Sequence, residues 1–323
     1  MTLHPSFSVI VPVYGVERYI ERCAESLFAQ TYDNIQFIFV NDGTKDRSME
    51  LLRALIDTKY SHLKPRIVLV DKENAGLPAA RKTGLEHAVG DYVLHVDSDD
   101  YLELSAVGKL ASAAERTDAD LIYFDLVKEY PARISYKREK DYSDCERDRF
   151  ILNIINGKSM GYLHIKCFKR SVYTGQPVYF APCGCYEDIY ASIQLIWYSR
   201  TVFHLREYLY HYDRSNPLAH TLQDKRKRHI QFCENMLDLY RHFAPDLNGT
   251  PAEVAGPSLL FRVAWYTWIH KLDYFKSEPW FAEAIVLAPC STNYYIPVAV
   301  QLILKLICRL NVNGRQEVKS LRL

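Results

Sequence analysis

The chain has 323 residues, of which 48% are hydrophobic, enough for a large globular domain and an accessory region. Its 40 lysines and arginines nearly balance 39 aspartates and glutamates, so the net charge of +1 excludes an overall basic field that would recruit nucleic acid. The N-terminal apolar stretch is interrupted by Pro12, and Glu17 and Arg18 follow, which is unlike a secretion signal. We therefore expect a cytoplasmic protein.

Residues 7–102 alternate short apolar runs with amphipathic stretches, which is typical of βαβ units that build a largely parallel sheet. The runs are rich in β-branched and aromatic residues, as in strands buried on both faces. The predicted strands are Phe7–Val13, Ile35–Val40, Ile67–Val70 and Tyr92–Val96. The predicted helices between them are Val16–Ala29, Asp46–Ile56 and Leu77–Val89.

The second half of the chain predicts further elements and then a change of character. The charged, irregular residues 128–149 predict an exposed loop or insertion, and Glu207–Tyr212 predicts a strand that closes the sheet edge. Other expected elements are Leu104–Arg116, Arg149–Asn156 and Glu187–Tyr198 as helices and Leu121–Val127 as a strand. After about residue 222 the helical patterns are Lys225–His242, Pro257–Phe275 and Ile296–Leu310. We predict a first domain over residues 1–221 and a helical region over 222–323.

Polar residues follow the predicted strands at the sheet edge where open parallel sheets bind ligands. Tyr14 follows the first strand, Asp42 follows the second, and the Asp97–Asp100 turn follows the fourth. The sequence has neither a G-x-G-x-x-G nor a G-x-x-x-x-G-K-[ST] motif. Another arrangement would therefore have to neutralise a bound phosphate.

The Asp97–Asp100 turn is a candidate metal site. D-x-D alone is a weak pattern, and by itself it favours a solvated acidic turn that caps the next helix. Three carboxylates within four residues after a buried strand repel one another, however, and add nothing to stability. Mg²⁺ or Mn²⁺ would relieve that repulsion and keep coordination positions for diphosphate oxygens. The position therefore favours a metal bound by Asp97 and Asp99.

Four segments of the chain resemble family 2 glycosyltransferases of the GT-A fold, a group with many bacterial surface-polysaccharide enzymes. The segments match in order and spacing, and they are Val9–Tyr14, Val40–Gly43, Asn74–Gly84 and Val96–Leu102. A looser likeness extends to Lys166–Arg170, Glu187-Asp188 and Tyr210–His220. The resemblance implies a Rossmann-like, mostly parallel central sheet flanked by helices, here with a helical C-terminal extension.

The resemblance also implies a nucleotide-sugar site with a divalent cation, Mn²⁺ or Mg²⁺. Its nucleotide-sugar contacts would be Pro12, Tyr14, Asp42, Asn74, Arg81 and Asp97. Asp99 would be the principal metal ligand, Asp97 would serve the ribose and the metal, and His220 is a further candidate ligand. A histidine near a strand end is more often a packed or solvent-facing residue.

The acidic pair Glu187-Asp188 matches the family's acceptor site. Family members of this kind invert the anomeric centre in a single displacement, which needs a base for the acceptor hydroxyl. Asp188 is the candidate base and Glu187 the alternative, whereas in an arbitrary protein such a pair would only favour the first turn of a helix. His164 and Lys166 would lie on the acceptor side.

The resemblance implies an inverting, metal-dependent hexosyltransferase that uses a nucleotide diphosphate sugar, with UDP as the expected nucleotide. The acceptor would be a hydroxyl of a growing glycan or of a lipid-linked molecule in surface-polysaccharide synthesis. The alternative is a non-catalytic nucleotide-sugar or glycan-binding module on the same fold, which the intact carboxylates disfavour. A nucleotidyltransferase would want a Gly-rich, basic loop after the first strand, and Tyr14–Glu17 is a poor match.

The segment Ile296–Leu310 raises the question of membrane contact. It is too short and too charged to span a bilayer, because Gln301, Lys305 and Arg309 interrupt it. It suits a helix that lies at the membrane surface, and it suits equally a helix packed on the catalytic domain. Contact with the inner face of the cell membrane is therefore one of two open alternatives.

Overall fold

The computed structural model describes residues 4–143, 147–216, 224–247, 255–270 and 272. The chain divides into two compact units, the first comprising residues 1–147, 162–180 and 191–222 and the second 148–161, 181–190 and 223–323. A division after residue 222 lies next to the predicted boundary. Two earlier segments belong to the second unit, so the assignment of contiguous domains stays a prediction.

The first four strands form the parallel part of the sheet. They are β1 (Phe7–Val13), β2 (Ile35–Asp42), β3 (Ile67–Lys72) and β4 (Tyr92–His95). They lie in the order β3-β2-β1-β4, and every adjacent pair is parallel. All residues of β1 are buried. The apolar runs of the sequence thus correspond to central strands, as predicted.

Helices connect these strands. They are α1 (Ile20–Phe28), α2 (Ser48–Thr58) and α3 (Leu77–Glu86), and a further helix, α4 (Ala106–Thr117), comes after β4 in the chain. Helix α3 approaches β1 closely at Gly84, where an added Cβ would lie 2.3 Å from Ile10 Cγ2. The glycine in this segment therefore permits close packing of helix on sheet.

The sheet continues through a mixed half. The strands are β5 (Tyr101–Leu102), β6 (Leu121–Tyr130), β7 (Arg133–Lys137), β8 (Lys166–Lys169) and β9 (Val202–Asp213). In the described part of the chain the order continues β4-β8-β6-β9-β5, with β7 paired to β6. Strands β6 and β9 are parallel, and the other pairs of this half are antiparallel.

The structure differs from two sequence predictions in this half. Residues 128–149 contain β7 instead of only irregular loop, and β9 lies between β6 and β5 instead of at the edge. Strand β7 escapes detection because it gains backbone hydrogen bonds without burial: Ile134 and Tyr136 stay 60% and 63% exposed. The charged surroundings of β7 predict a loop as readily as a strand.

A buried carboxylate fastens the segment after β7 to the sheet. Asp125, at an irregularity of β6, is 0% exposed. It accepts hydrogen bonds from His204 Nε2, Arg138 Nε and the Glu139 backbone N–H, each at 2.9 Å. A buried charge with several donors is well compensated.

The remaining helices are α5 (Arg147–Ile155), α6 (Arg170–Thr174), α7 (Glu187–Tyr198), α8 (Lys225–Leu247) and α9 (Ala255–Ile269). Helices α8 and α9 contact each other through the rings of Phe232 and Tyr266, whose centroids are 4.4 Å apart. None of the helices within the described ranges is long and apolar enough to cross a bilayer. The predicted helix Ile296–Leu310 lies outside those ranges.

Candidate active site

Strands β1 and β4 separate at their carboxyl ends. The ladder between them pairs Phe7–Ile10 with Tyr92–His95, and a final hydrogen bond joins the Val96 N–H to the Ile10 carbonyl. Pro12 follows on the same side of β1, and it has no N–H to continue the ladder. Tyr14, directly beyond β1, is 53% exposed. The gap lies at the sheet edge where ligands of such folds bind.

Asp42 at the end of β2 organises the loop that leads into α3. Its carboxylate is nearly buried and accepts hydrogen bonds from Lys72 Nζ (2.6 Å), the Ala75 N–H (3.0 Å) and the Gly76 N–H (2.8 Å). A carboxylate has about four acceptor positions, so about one remains. The exposed Asn74 lies in this loop. The nucleobase contacts predicted for Asp42 and Asn74 stay predictions.

Arg81 of α3 lies against the first carboxylate of the turn. Its side chain is 3% exposed, and Nη2 donates to Asp97 Oδ1 at 2.8 Å. Burial by itself would raise the pKa of Asp97, but the Arg81 guanidinium and the neighbouring His164 lower it below its usual range. Asp97 is therefore the carboxylate of the turn that is held ionised. Lys82, the next residue, is exposed.

Asp99 and Asp100 lie in the opposite electrostatic situation. Burial and the neighbouring carboxylates raise the pKa of both above the usual range. Asp99 Oδ2 accepts a hydrogen bond from Asn216 Nδ2 at 2.8 Å. Asp100 Oδ2 accepts from the Tyr210 hydroxyl at 2.7 Å, and its Oδ1 accepts from the Asp213 N–H at 2.8 Å. The turn therefore holds more carboxylates than its surroundings stabilise as anions.

His164 completes a group of three possible metal ligands. One ligand atom each from Asp97, Asp100 and His164 lie within 4.8 Å of one another. The ring of His164 is 2% exposed and lies between the rings of Tyr162 and Tyr210, at centroid distances of 5.1 and 4.4 Å. Its Nδ1 is 3.2 Å from Asp97 Oδ2 but not in hydrogen-bonding alignment, and its Nε2 has no partner among the described residues.

The sequence did not single out this grouping. It assigned His164 and Lys166 to the acceptor side, and it gave no role to Asp100 or Tyr210. Lys166 is fully buried, and its Nζ donates to the Tyr162 carbonyl at 2.7 Å. The available signal was the third carboxylate of the turn. His164 lies just before β8, which pairs with β4 in the sheet but is far from it in the chain. The sequence therefore does not reveal that His164 lies near the turn after β4.

A metal would fit this group. Carboxylate oxygens are the ligands preferred by Mg²⁺ and Mn²⁺, and a buried imidazole nitrogen without a hydrogen bond is available beside them. Burial and repulsion together raise the pKa of Asp99 and Asp100, and a cation would relieve the repulsion. Asp99 stands outside the three-residue group, and its ligand role stays a prediction. His220 lies outside the described residues.

Glu187 and Asp188 begin α7 in the second unit. Glu187 is 8% exposed, and Asp188 is half-buried. The preceding loop is held by Asn235 of α8, whose side chain accepts from the Cys183 N–H and donates to the carbonyls of Cys183 and Cys185. This anchoring fixes where α7 starts. The catalytic roles of the acidic pair stay predictions.

The chain matches the family model "Glycosyl transferase family 2" over residues 8–184, which is more than half of its length. The chain belongs to this family. The matched range includes β1 to β8, the Asp97–Asp100 turn and His164. The family resemblance inferred from the four sequence segments is confirmed.

Bacterial relatives of this family-2 chain bear glycosyltransferase names. EpsH of Bacillus subtilis (strain 168) is 30% identical over 214 residues, which is 64% of this chain and 60% of EpsH. GlyA of Streptococcus pneumoniae serotype 4 is 42% identical over 121 residues, covering 38% of this chain and 17% of GlyA. The chain thus spans less than two thirds of either relative.

Solved structures share the fold. TarS of S. aureus, in complex with UDP-GlcNAc, has a TM-score of 0.62 at 18% identity and covers 87% of this chain and 79% of its own. The mannosyltransferase PcManGT of Pyrobaculum calidifontis, with GDP-Man and Mn²⁺, has a TM-score of 0.52 at 18% identity, covering 96% and 81%. Likeness at this identity concerns the fold, and the predicted GT-A architecture is confirmed.

Proposed function

We propose that this family-2 chain is an inverting, metal-dependent hexosyltransferase that uses a UDP-sugar. The observation that carries the proposal is the surplus of carboxylates in the Asp97–Asp100 turn at the carboxyl end of β4, with Arg81 and His164 beside it. A binding module would gain nothing from so costly a cluster. The nucleotide-sugar complexes of the fold relatives TarS and PcManGT support the choice of donor class.

The chain's own residues would divide the work at the donor. Asp97, Asp99, Asp100 and His164 are the candidates to hold the cation. When bound, such a cation supplies Lewis-acid stabilisation of the charge on a departing diphosphate. Arg81 keeps Asp97 ionised and oriented through its 2.8 Å contact. Asp42 fixes the loop from Lys72 to Gly76 through its three hydrogen bonds, and the nucleobase is proposed to bind beside it.

Asp188 is the proposed base for the acceptor hydroxyl. A carboxylate in the first turn of a helix is favourably placed near the backbone N–H groups at the positive end of the helix dipole. It would take the hydroxyl proton as the oxygen attacks the anomeric carbon. Inversion follows from that single displacement, and Glu187 is the alternative base.

The acceptor is proposed to be a hydroxyl of a glycan or a lipid-linked molecule in surface-polysaccharide synthesis. Two further relatives, each 34% identical over 103 residues, are named chondroitin synthase and hyaluronan synthase, both from Pasteurella multocida. Their names support a polysaccharide product. Peripheral contact with the membrane through residues 296–310 remains part of the proposal.

A nucleotide-release assay tests the activity. The full chain is incubated with UDP-glucose, UDP-GlcNAc, UDP-galactose or GDP-mannose, with Mn²⁺, with Mg²⁺ or with EDTA, and nucleoside diphosphate is measured. We expect release from a UDP-sugar that EDTA abolishes. If no donor is turned over but UDP still binds, the chain is a nucleotide-sugar-binding module instead.

Substitution of the base sharpens the test. Asp188→Asn should keep UDP binding and lower turnover by about 10²- to 10⁴-fold, because only proton removal is lost. Turnover and calorimetric affinity for UDP with Mn²⁺ are measured on the same preparation. Turnover close to that of the wild type would assign the base elsewhere, and Glu187→Gln is the matched comparison.

A further inference from the structure

Strand β9 leads away from the metal-ligand group with a row of tyrosines. Tyr210 and Tyr212 lie on one face of the strand because alternate residues share a face. Tyr210 contacts Asp100 through its hydroxyl, at the start of the row. Arg214 continues the row, and its Nη1 donates to the Tyr212 hydroxyl at 2.9 Å while its guanidinium lies 5.2 Å from the ring centroid.

Lys128 reaches the same row from β6. It is the register partner of Tyr212 in the parallel β6/β9 pair. Its Nζ donates to the Tyr162 hydroxyl at 3.0 Å and lies 5.0 Å from the Tyr162 ring centroid and 5.7 Å from that of Tyr212. Lys128, Tyr162, Tyr212 and Arg214, all half-buried, are called the cationic wall below.

The cationic wall lacks a counter-charge. Within the described parts of the chain, the contacts of Lys128 and Arg214 are with tyrosines, and neither cation forms an ion pair with a carboxylate. Glu129 follows Lys128 in sequence, but its side chain accepts from Tyr101 and His211. Taking cations partly out of water without an anion is unfavourable, and cation–π contact offsets only part of the cost.

Other cationic side chains near the turn do form ion pairs with carboxylates. Arg22 pairs with Asp213 at 2.8 Å, and Arg81 pairs with Asp97 at the same distance. The turn itself has surplus carboxylates, yet none of them pairs with Lys128 or Arg214. The two half-buried cations of the wall are thus positioned for an anion that the chain itself does not supply.

The wall is continuous with the metal-ligand group. The Tyr162 ring stacks on His164 with a centroid distance of 5.1 Å and an interplanar angle of 14°. The Tyr212 ring meets Tyr162 edge-on at 6.0 Å. From Tyr210 to Arg214 is four residues, or about 13 Å of extended chain. A molecule that lies on these rings would have one end at the turn and its other end at Arg214.

We propose that the cationic wall binds an acceptor sugar that carries an anionic group, a carboxylate or a phosphate ester. Tyrosine rings offer flat apolar faces with a polar tip to a sugar, and Lys128 and Arg214 offer charge-assisted hydrogen bonds to its anion. The inference that this sugar is the acceptor rests on the proposed sugar transfer. The recognition of an anionic sugar does not depend on turnover.

Binding without a donor tests the wall directly. The full chain is titrated with p-nitrophenyl β-glucuronide, its neutral partner p-nitrophenyl β-glucoside, glucose 6-phosphate and glucose, by saturation-transfer NMR at low salt. We expect an anionic probe to bind more tightly than its neutral partner, and this preference to shrink as salt is added. The carboxylate and phosphate arms distinguish the two kinds of anion.

Substitutions assign the preference to the wall. Lys128→Met and Arg214→Gln should each weaken the preferred anionic probe about tenfold, the usual effect of losing a charge-assisted hydrogen bond. Neutral probes should be unaffected. Lys128→Arg should retain the preference, and Lys137→Met, on the exposed strand β7, is the matched control that should change nothing. Circular dichroism verifies that each variant is folded.

Several results would overturn the inference. Equal binding of anionic and neutral probes by the wild type would do so, as would equal weakening of both in Lys128→Met. A comparable loss of UDP affinity in Lys128→Met would place the cation at the donor diphosphate instead. If nucleotide is released but the chain shows no preference for anionic probes, the inference about the cationic wall fails and the proposed transferase activity stands. An anion preference without nucleotide release from any donor overturns the proposed transferase alone.

Discussion

Two carboxylate sites in the first unit, the single Asp125 and the Asp97–Asp100 turn, differ in how their charge is balanced. Asp125 in β6 is fully buried and satisfied by His204, Arg138 and a backbone N–H. The Asp97–Asp100 turn is crowded with carboxylates, and Arg81 neutralises only the first of them directly. A buried charge with enough hydrogen-bond donors stabilises the fold. A group of carboxylates without enough counter-charge destabilises the fold unless a bound ligand or cation neutralises it.

The largest expected effect on stability is at Asp125, the carboxylate whose charge is balanced. Asp125→Ala should lower the free energy of unfolding by about 3–5 kcal/mol, because His204 and the Glu139 N–H lose their buried acceptor. Urea unfolding followed by circular dichroism measures it. Asp57→Ala, at an exposed ion pair with Lys64, is the control and should be close to the wild type. A decrease in the free energy of unfolding below about 1 kcal/mol would mean that Asp125 does not stabilise the fold as argued.

Removal of the Arg81 guanidinium, which neutralises Asp97, should have the next largest effect on the free energy of unfolding. Arg81→Met should lower the free energy of unfolding of the metal-free protein by about 2–3 kcal/mol, since it leaves Asp97 beside two other carboxylates without its partner. Mn²⁺ should restore part of the loss. Arg47→Met, at an exposed pair with Glu50, is the matched control, with no measurable change expected. An unaffected Arg81→Met would remove the claim of surplus charge.

The smallest effect has the opposite sign. Asp99→Asn should raise the free energy of unfolding in EDTA by about 1 kcal/mol at neutral pH, because it removes one of the repelling charges. Burial and Asp97 raise the pKa of Asp99, so between its unfolded and folded pKa values the folded state binds more protons. The free energy of unfolding therefore falls as pH rises through that interval, and Asn should remove this part of the slope.

Thermal melts across acidic to neutral pH decide this last prediction. The same variant should lose Mn²⁺-dependent UDP binding, so that gain of stability and loss of binding occur together, as expected of a functional charge. Destabilisation of the metal-free protein by Asp99→Asn would assign Asp99 a structural role through Asn216. Asp71→Asn, at an exposed aspartate near the end of β3, serves as control.

The parallel half of the fold was predictable because each strand is a compact, largely apolar run rich in β-branched and aromatic residues. Strand β1 has the predicted bounds, and β2 and β3 extend by two residues each into polar residues. The mixed half was less predictable, since Val202–Asp213 interleaves charged and aromatic residues whose burial depends on neighbours far away in the chain. Tertiary context there outweighs local pattern.

The candidate site was predictable to the same extent. The Asp97–Asp100 turn lies at the end of a recognisable strand, so both its residues and its location follow from the sequence. The partners do not: Tyr210, Asn216 and His164 are 113, 117 and 67 residues from Asp97, Asp99 and Asp97. The antiparallel pairing of β8 with β4 and of β9 with β5 brings them together.

Asp42 limits how this site can diverge. One carboxylate both closes the loop from Lys72 to Gly76 and stands at the proposed nucleobase position. Any replacement that changed its acceptor pattern would release the loop at the same time. If Asp42 contacts the nucleobase as proposed, a change of base preference that keeps this loop closed has to come from residues around Asp42.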